Sequence, residues 1–451
     1  KHLREELNKA AREQIVRELG LSTRQRREFE PIYKAYREAL DKAVDARAGA
    51  SGADEATQKN SLKAKLSNIA ATAQVKRDYV DKFAAVLTAE QIRRLYNTEG
   101  EIGTNIKRAA FDRSSRTRSG RLKGSGRMVT QDWGKAGDYT GISAAAFFDI
   151  TVSPAAKTIS VTADDNVIDY LVLERDGGKL KFRVNANSTE NISVSVTVPA
   201  SASLREISAG SYGKVNCKMP LKGPSVSVSV SSYGSVSADI DTPGAAKLDV
   251  SSYGKFAGSV RCSDGELRIS SYGSAQAPVE CRNSCKLTVG SYAKFSNDIK
   301  ASDLTVEVSS GASVGSTLTA DALTMRIDSY AKFSGTVTVN ARQAKLTVSS
   351  GGSFNGTFSG SSLEASVGSY GKIYLKGAAQ VADATVRVSS GANFSAPELR
   401  VSDYDLTVSN YAKADVWCSG RLKINASTAA KVTYGGPCTV ETVSDNIQRR
   451  K

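Results

Sequence analysis

Two spacings of apolar residues divide the chain. Over residues 3–19, Leu3, Leu7, Ala11, Ile15 and Leu19, with Ala10 and Val16, recur at helical spacing, and Gly20 stops the run. Phe29, Ile32, Tyr33, Tyr36 and Leu40 form a second helical stripe. Gly49 to Gly52 is a break, a third helix is expected from about Glu55 to Val86, and a short fourth ends near Asn97. Ser22 with Gln25, and Thr88 with Gln91, have the spacing of capping boxes, and Leu87 can staple on Ile92. From Met128 the period becomes two. Phe147–Val152, Ile159–Asn166, Ile168–Val172, Lys179–Phe182 and Ile192–Pro199 read as strands with one buried face.

Beyond them the period-two runs are gathered into a longer repeat. Its markers are Ser211-Tyr212-Gly213-Lys214, Ser232-Tyr233-Gly234-Ser235, Ser252-Tyr253-Gly254-Lys255, Ser271-Tyr272-Gly273-Ser274, Ser291-Tyr292-Ala293-Lys294 and Ser310-Gly311-Ala312-Ser313. It continues through Tyr330, Gly351, Tyr370, Gly391 and Tyr411, with a degenerate copy at Ser427 to Lys431. A fixed period near twenty is the mark of a solenoid. Short strands of Val, Ile, Thr, Phe and Ser joined by small-residue corners predict a parallel, right-handed β-helix of about twelve coils. No coil buries its own apolar side, so only stacking can complete the core.

The markers carry a finer alternation. Two residues after each stand Lys214, Ser235, Lys255, Ser274, Lys294, Ser313, Lys332, Ser353, Lys372, Asn393 and Lys413. Stacked neighbours would lie about 4.8 Å apart, and skipping a coil separates lysines by roughly 9.6 Å, near the Debye length. From Tyr292 onward tyrosine alternates too, with Tyr330, Tyr370 and Tyr411 on the lysine coils and glycine between. The candidate binding residues are therefore Tyr212, Tyr233, Tyr253, Tyr272, Tyr292, Tyr330, Tyr370 and Tyr411, with Lys214, Lys255, Lys294, Lys332, Lys372 and Lys413. One reading is that tyrosine covers a corner and lysine keeps the surface soluble. The other is a ladder of rings and cations suited to sugars or to an anionic polymer.

Charge is uneven. The 451 residues carry a formal +15, of which +11 lies in residues 1–127, with 28 Lys+Arg against 17 Asp+Glu. Residues 107–127 hold Lys107, Arg108, Arg113, Arg116, Arg118, Arg121, Lys123 and Arg127 against Asp112 alone, and read as a solvated basic hinge. An anionic surface such as lipopolysaccharide is the partner such a segment would take; no nucleic-acid motif accompanies it. The expected domains are residues 1–105 (helical), 106–127 (basic linker), 128–205 (β cap leading into the solenoid) and 206–451 (β-helix). The first residue is Lys, which suggests a processed leader or a fragment. No apolar run is long enough to span a bilayer.

All six cysteines lie in the β half. Cys262 and Cys281, and Cys418 and Cys438, are one coil apart and could be disulfides in an oxidising compartment. Cys281–Cys285 is a rival pair, Cys217 has no obvious partner, and free buried thiols are the alternative. The only histidine is His2, which removes Ser-His and Cys-His catalysis and histidine-rich zinc sites. No phosphate loop or dinucleotide fingerprint appears. Asp239, Asp241, Asp249, Glu266, Glu280, Asp298, Asp303, Glu307, Asp321 and Asp328 are scattered around the coil without recurring at one place in adjacent coils, which leaves open a pair close enough for acid–base work. Asp164-Asp165-Asn166 has a composition that calcium would accept, though a hydrogen-bonded turn also explains it. No cofactor or metal is expected.

The two Leu-Ser/Thr-x-x-Gln boxes resemble those of the periplasmic LTxxQ-motif (Spy/CpxP) family over roughly the first hundred residues. That resemblance implies a small helical envelope domain, chaperone-like or stress-sensing. The succession Phe148-Asp149-Ile150-Thr151-Val152, Ala163-Asp164-Asp165-Asn166 with Asp169-Tyr170, Gly178-Lys179-Leu180-Lys181-Phe182 and Ile192–Pro199 resembles the putative-adhesin family with a head GIN domain, common in Bacteroidetes. The resemblance covers roughly Gly141 to Asp445. It implies a secreted or surface β-helical protein, periplasmic, outer-membrane-associated or extracellular, and brings no ligand residues with it. The expectation is a non-enzymatic cell-envelope adhesin or scaffold binding a glycan or surface protein through the solenoid's outer face, with the oligomeric state open. A chaperone or stress sensor acting through the helical domain is the alternative, and a polysaccharide-active β-helix enzyme the second.

Overall fold

The computed structural model describes residue 15, residues 19–43 and 55–96, and residues 122–450 without 187, 342, 378 and 443–445. The chain forms two compact units, Lys1–Ser119 and Gly120–Lys451. The helix expected over 3–19, apart from Ile15 and Leu19, lies outside the described residues. So do the break at Gly49 to Gly52, the end near Asn97, and residues 107–121 of the hinge.

In the first unit, helices α1 (Thr23–Ala43) and α2 (Glu55–Ala84) are followed by helical residues 89–96. Their apolar stripes meet in a core of Phe29, Tyr33, Tyr36, Phe83, Leu87, Ile92 and Leu95. Both capping boxes form. The Gln25 N–H donates to Ser22 Oγ (3.3 Å) and the Ser22 N–H to Gln25 Oε1 (3.2 Å); Thr88 and Gln91 do the same at 3.2 and 3.0 Å. The boxes also interlock. Gln25 Nε2 donates to the Val86 carbonyl and to Gln91 Oε1, and Gln91 Nε2 donates to the Leu19 carbonyl, each at 3.2 Å.

The second unit is a parallel β-solenoid. Each coil contributes strands that pair one coil away, as Ser225–Val230 pairs with Ala245–Val250 and that with Asp264–Ile269. Alternate residues point inward, so columns of like residues stack. One column runs Val230, Val250, Ile269, Val289, Val308, Ile327, Val348, Val367, Val388 and Val408, all buried. Burying one such side chain contributes about 1.5–3 kcal/mol. Another column interleaves Phe256, Ala275 and Phe295, large against small, so that neighbouring coils interdigitate.

The solenoid begins earlier than its markers do. Gly141–Ala144 pairs in parallel with Glu206–Ala209, and Phe148–Ser153 with Lys214–Cys217, so residues 141–153 already form a coil. On their other side lie Lys179–Val184 and Val194–Pro199, later in the chain but further out in the stack. Antiparallel strands Leu171–Asp176 and Ser160–Asp164 cover that outer layer, closing an edge that would otherwise template further pairing. Ile168–Tyr170, expected in a strand, is a 3-10 turn, because the Val167 and Tyr170 N–H groups fold back onto the Asp164 and Val167 carbonyls. The last residues of the expected 106–127 linker belong to this unit: Leu122–Lys123 pairs with Thr189–Glu190, and Ser125, Gly126 and Arg127 bind Asp164-Asp165-Asn166.

Candidate functional site

Each coil turns at a four-residue corner whose two central residues are left-handed. At Gly210–Gly213, Ser211 has φ +49° and Tyr212 φ +68°, and the Gly213 N–H closes the turn on the Gly210 carbonyl (2.8 Å). The geometry recurs at Ser232-Tyr233, Ser252-Tyr253, Ser271-Tyr272, Ser291-Tyr292, Ser329-Tyr330, Ser369-Tyr370 and Asn410-Tyr411. A non-glycine residue held there costs about 1–2 kcal/mol. An offset comes from the next coil: the Tyr212 N–H donates to the Ser232 carbonyl (3.0 Å), Tyr233 to Ser252, and so on through Gly391 to Asn410. The left-handed turn aims one N–H along the solenoid axis, and by doing so projects each tyrosine at the same place.

The rings fall into two zones. Phe147, Tyr212, Tyr233, Tyr253, Tyr272 and Tyr292 form one continuous stack, with centroids 4.8–5.6 Å apart and planes within 12° of parallel. Tyr233 in this stack is 52% exposed. Beyond it, Tyr330, Tyr370 and Tyr411 stand singly and are 74–78% exposed. Gly311, Gly351 and Gly391 take the intervening corners at φ +69° to +73°. A Cβ at Gly351 would lie 2.8 Å from the Tyr330 ring, so the glycine leaves room for the ring to lean over bare backbone.

The lysines form a parallel row. Register partners run Lys214, Ser235, Lys255, Ser274, Lys294, Ser313, Lys332, Ser353, Lys372, Asn393, Lys413. All six lysines are exposed, and none forms an ion pair among the described residues. Elsewhere cations are matched across coils: Lys247 with Glu266, Lys286 with Glu307, Lys345 with Glu364, Lys423 with Asp405, and Arg261 between Asp241 and Glu280. The next outward row, Asn216, Ser237, Ala257, Gln276 and Ser296, is uncharged.

The remaining candidates settle into structural roles. Cys262 and Cys281 are register partners with Sγ atoms 3.3 Å apart, both thiols, with Cys285 against Cys281. Their mutual hydrogen bond and burial raise the Cys262 thiol above its ordinary range. Cys418 donates to the Ser402 carbonyl (3.0 Å), beside Cys438, and burial pushes its pKa up to about 11. Cys217 donates to the Met219 carbonyl. Asp165 accepts from Ser125 Oγ (2.6 Å) and Arg127, which hold its carboxyl below the usual range. Of the carboxylates weighed for catalysis, Asp239 accepts from Ser259, Asp298 from the Thr317 N–H, and Asp328 pairs with Arg326. Phe147, the first ring of the stack, carries no Ser-Tyr-Gly marker; Ala146-Phe147 in left-handed conformation is its only kinship with the corners.

A parallel solenoid with one periodic edge of rings and unpaired cations is a surface-presenting scaffold, not an enclosed pocket. A family model described as "Putative auto-transporter adhesin, head GIN domain" matches residues 138–314 and 325–437, and the chain belongs to that family. Membership places it among adhesin-like surface proteins; the helical unit lies outside the matched residues. Similar solved structures include a putative adhesin from Parabacteroides merdae (13% identity, 72% of this chain and 100% of that chain, TM-score 0.29). Two others are from Parabacteroides distasonis: a putative adhesin (16%, 73% and 100%, TM-score 0.25) and a putative lipid binding protein (17%, 74% and 100%, TM-score 0.21). No curated protein matches the chain. Among the described residues no helix is long and apolar enough to cross a membrane.

Proposed function

We propose that this is a non-enzymatic envelope adhesin whose binding surface is the tyrosine–lysine edge of the solenoid, facing the periplasm or the cell exterior. One observation carries the reading. Six exposed lysines without ion pairs among the described residues stand in one regular row beside a line of exposed rings, whereas several charges on other faces are paired coil to coil. Exposed rings and unpaired cations are what recognition of a glycan or an anionic surface polymer uses. The full chain is expected to be retained on immobilised glycans or envelope fractions at low salt and released as salt rises. Replacing Tyr330, Tyr370 and Tyr411 together by alanine removes that retention. Undiminished retention of the triple variant would sink the reading.

A further inference from the structure

The gapped half of the edge has a period of its own, and that period selects a class of polymer. The inference rests on the binding edge proposed above. Gly311, Gly351 and Gly391 occupy the corner position that tyrosine holds in the five coils from Tyr212 to Tyr292. A Cβ at Gly311, Gly351 or Gly391 would stand 2.7–2.8 Å from the ring of Tyr292, Tyr330 or Tyr370, so each of these rings leans over the glycine and keeps a face that no second ring covers. A lysine accompanies every ring, at Lys294, Lys332, Lys372 and Lys413. One such ring and one cation recur every two coils, about 9.6 Å along the axis. The adjoining stack keeps its planes within 12° of parallel up to Tyr292, where the gapped half begins.

Few polymers repeat at that distance. The side chains on one face of an extended peptide recur every ~6.6 Å. Each strand of duplex nucleic acid places a phosphate about every 3.4 Å. Two sugar rings in an extended linear glycan cover about the length of two coils. We propose that the edge binds a linear polysaccharide alternating a uronate with an N-acetylated amino sugar. Its single carboxylate per disaccharide meets a lysine, and its single planar acetamido group lies on the uncovered face of a tyrosine ring. The row beside the lysines is uncharged at Ser334, Asn355, Tyr374 and Ser395, and the carboxylate that follows at Asp415 is paired with Arg450.

The test compares three soluble glycans of equal length on the full chain. Hyaluronan oligosaccharide carries both groups once per disaccharide. Polygalacturonate carries a carboxylate on every sugar, and chitooligosaccharide an acetamido group on every sugar without charge. Hyaluronan is expected to bind tightest although its charge density is half that of polygalacturonate. Gly311→Tyr, Gly351→Tyr and Gly391→Tyr should push the leaning rings upright into a continuous stack like that of Tyr212 to Tyr292, and weaken hyaluronan about tenfold while adding rings, because the uncovered faces are lost. Replacing Lys332, Lys372 and Lys413 by serine should also cost about tenfold, as three exposed ion pairs of ordinary strength would. Tighter binding of polygalacturonate, or unchanged hyaluronan binding by the triple tyrosine variant, overturns the period match and leaves the binding edge standing. Binding of none of the three overturns both.

Discussion

Tyr233 and Tyr253 lie face to face, with ring centroids 4.8 Å apart and 2° between their planes. The distance is that between paired strands, ~4.8 Å. The rings repeat what the backbone repeats, because each tyrosine is carried by a corner of fixed left-handed geometry. Tyr233 is stacked on both sides, by Tyr212 and Tyr253, whereas Tyr370 has no ring beside it. Stacked pairs contribute about 0.5–1.5 kcal/mol each. Tyr233→Ala should therefore destabilise by about 1–2 kcal/mol, and Tyr370→Ala by less than about 0.5. Urea unfolding midpoints of the two variants, compared with the parent, check the difference.

Gln25 and Gln91 each close a cap and brace the other's cap through side-chain amides. Gln25→Ala leaves the Val86 carbonyl and the Ser22 N–H without these partners. A loss of about 1–3 kcal/mol is expected, confined to the helical unit. Helical ellipticity should melt at lower temperature while the β signal holds.

Tyr404 is 2% exposed and its hydroxyl has no hydrogen-bond partner among the described residues. Burial drives its pKa up, beyond any working range. A buried, unsatisfied hydroxyl costs about 1–3 kcal/mol. Tyr404→Phe keeps the ring and removes that cost, so it should raise stability by about 1 kcal/mol or more. A lower unfolding midpoint in the variant would show that the hydroxyl has a partner in solution.

Burial, with Cys438 beside it, pushes the Cys418 thiol up to about 11 from the ordinary value of 9.0. The fold favours the protonated thiol, so its contribution is intact below pH 9 and is lost as pH rises from 9 through 11. Cys418→Ser at neutral pH and alkylation of the native parent across that window provide the readout. Alkylation should be slow below pH 9 and should follow the titration above it.

Cys262 and Cys281 are placed for oxidation, with sulfurs 3.3 Å apart on register-paired strands. A bond closing a loop of this size stabilises by about 3 kcal/mol. Peptide mapping without reductant after mild oxidation should find the 262–281 link in excess over 281–285. Predominance of the latter would mean that the Cys285 contact controls the pairing.

The solenoid is legible in the sequence because a coil that stacks on its neighbours must put like residues at like places, and Ser-Tyr-Gly, Ser-Gly-Ala and the alternating lysines do so at nearly constant intervals. The line of rings and the line of lysines follow from that period alone. The handing of the corners does not. Serine and tyrosine at φ near +50° and +63° contradict their own preferences, and only the N–H to carbonyl contact with the next coil accounts for it. Asn410, at the serine position, and Gly311, Gly351 and Gly391, at the tyrosine position, are the residues whose types hint at the left-handed turn. The order of layers at the cap was equally hidden. Residues 141–153 sit inside residues 179–199 through pairing far along the chain, and no local pattern encodes it. Phe147 escaped notice for that reason.

Lysine on alternate coils gives the edge a parity. Loss or duplication of one coil would set two lysines or two uncharged residues side by side, and two lysines already stand so at Lys413 and Lys431 at the C-terminal end. Loss or duplication of two coils would leave charges and rings in phase. A lineage that keeps this edge can therefore lengthen or shorten only in even steps, about forty residues at a time, and the odd step at Lys431 marks where that constraint lapses.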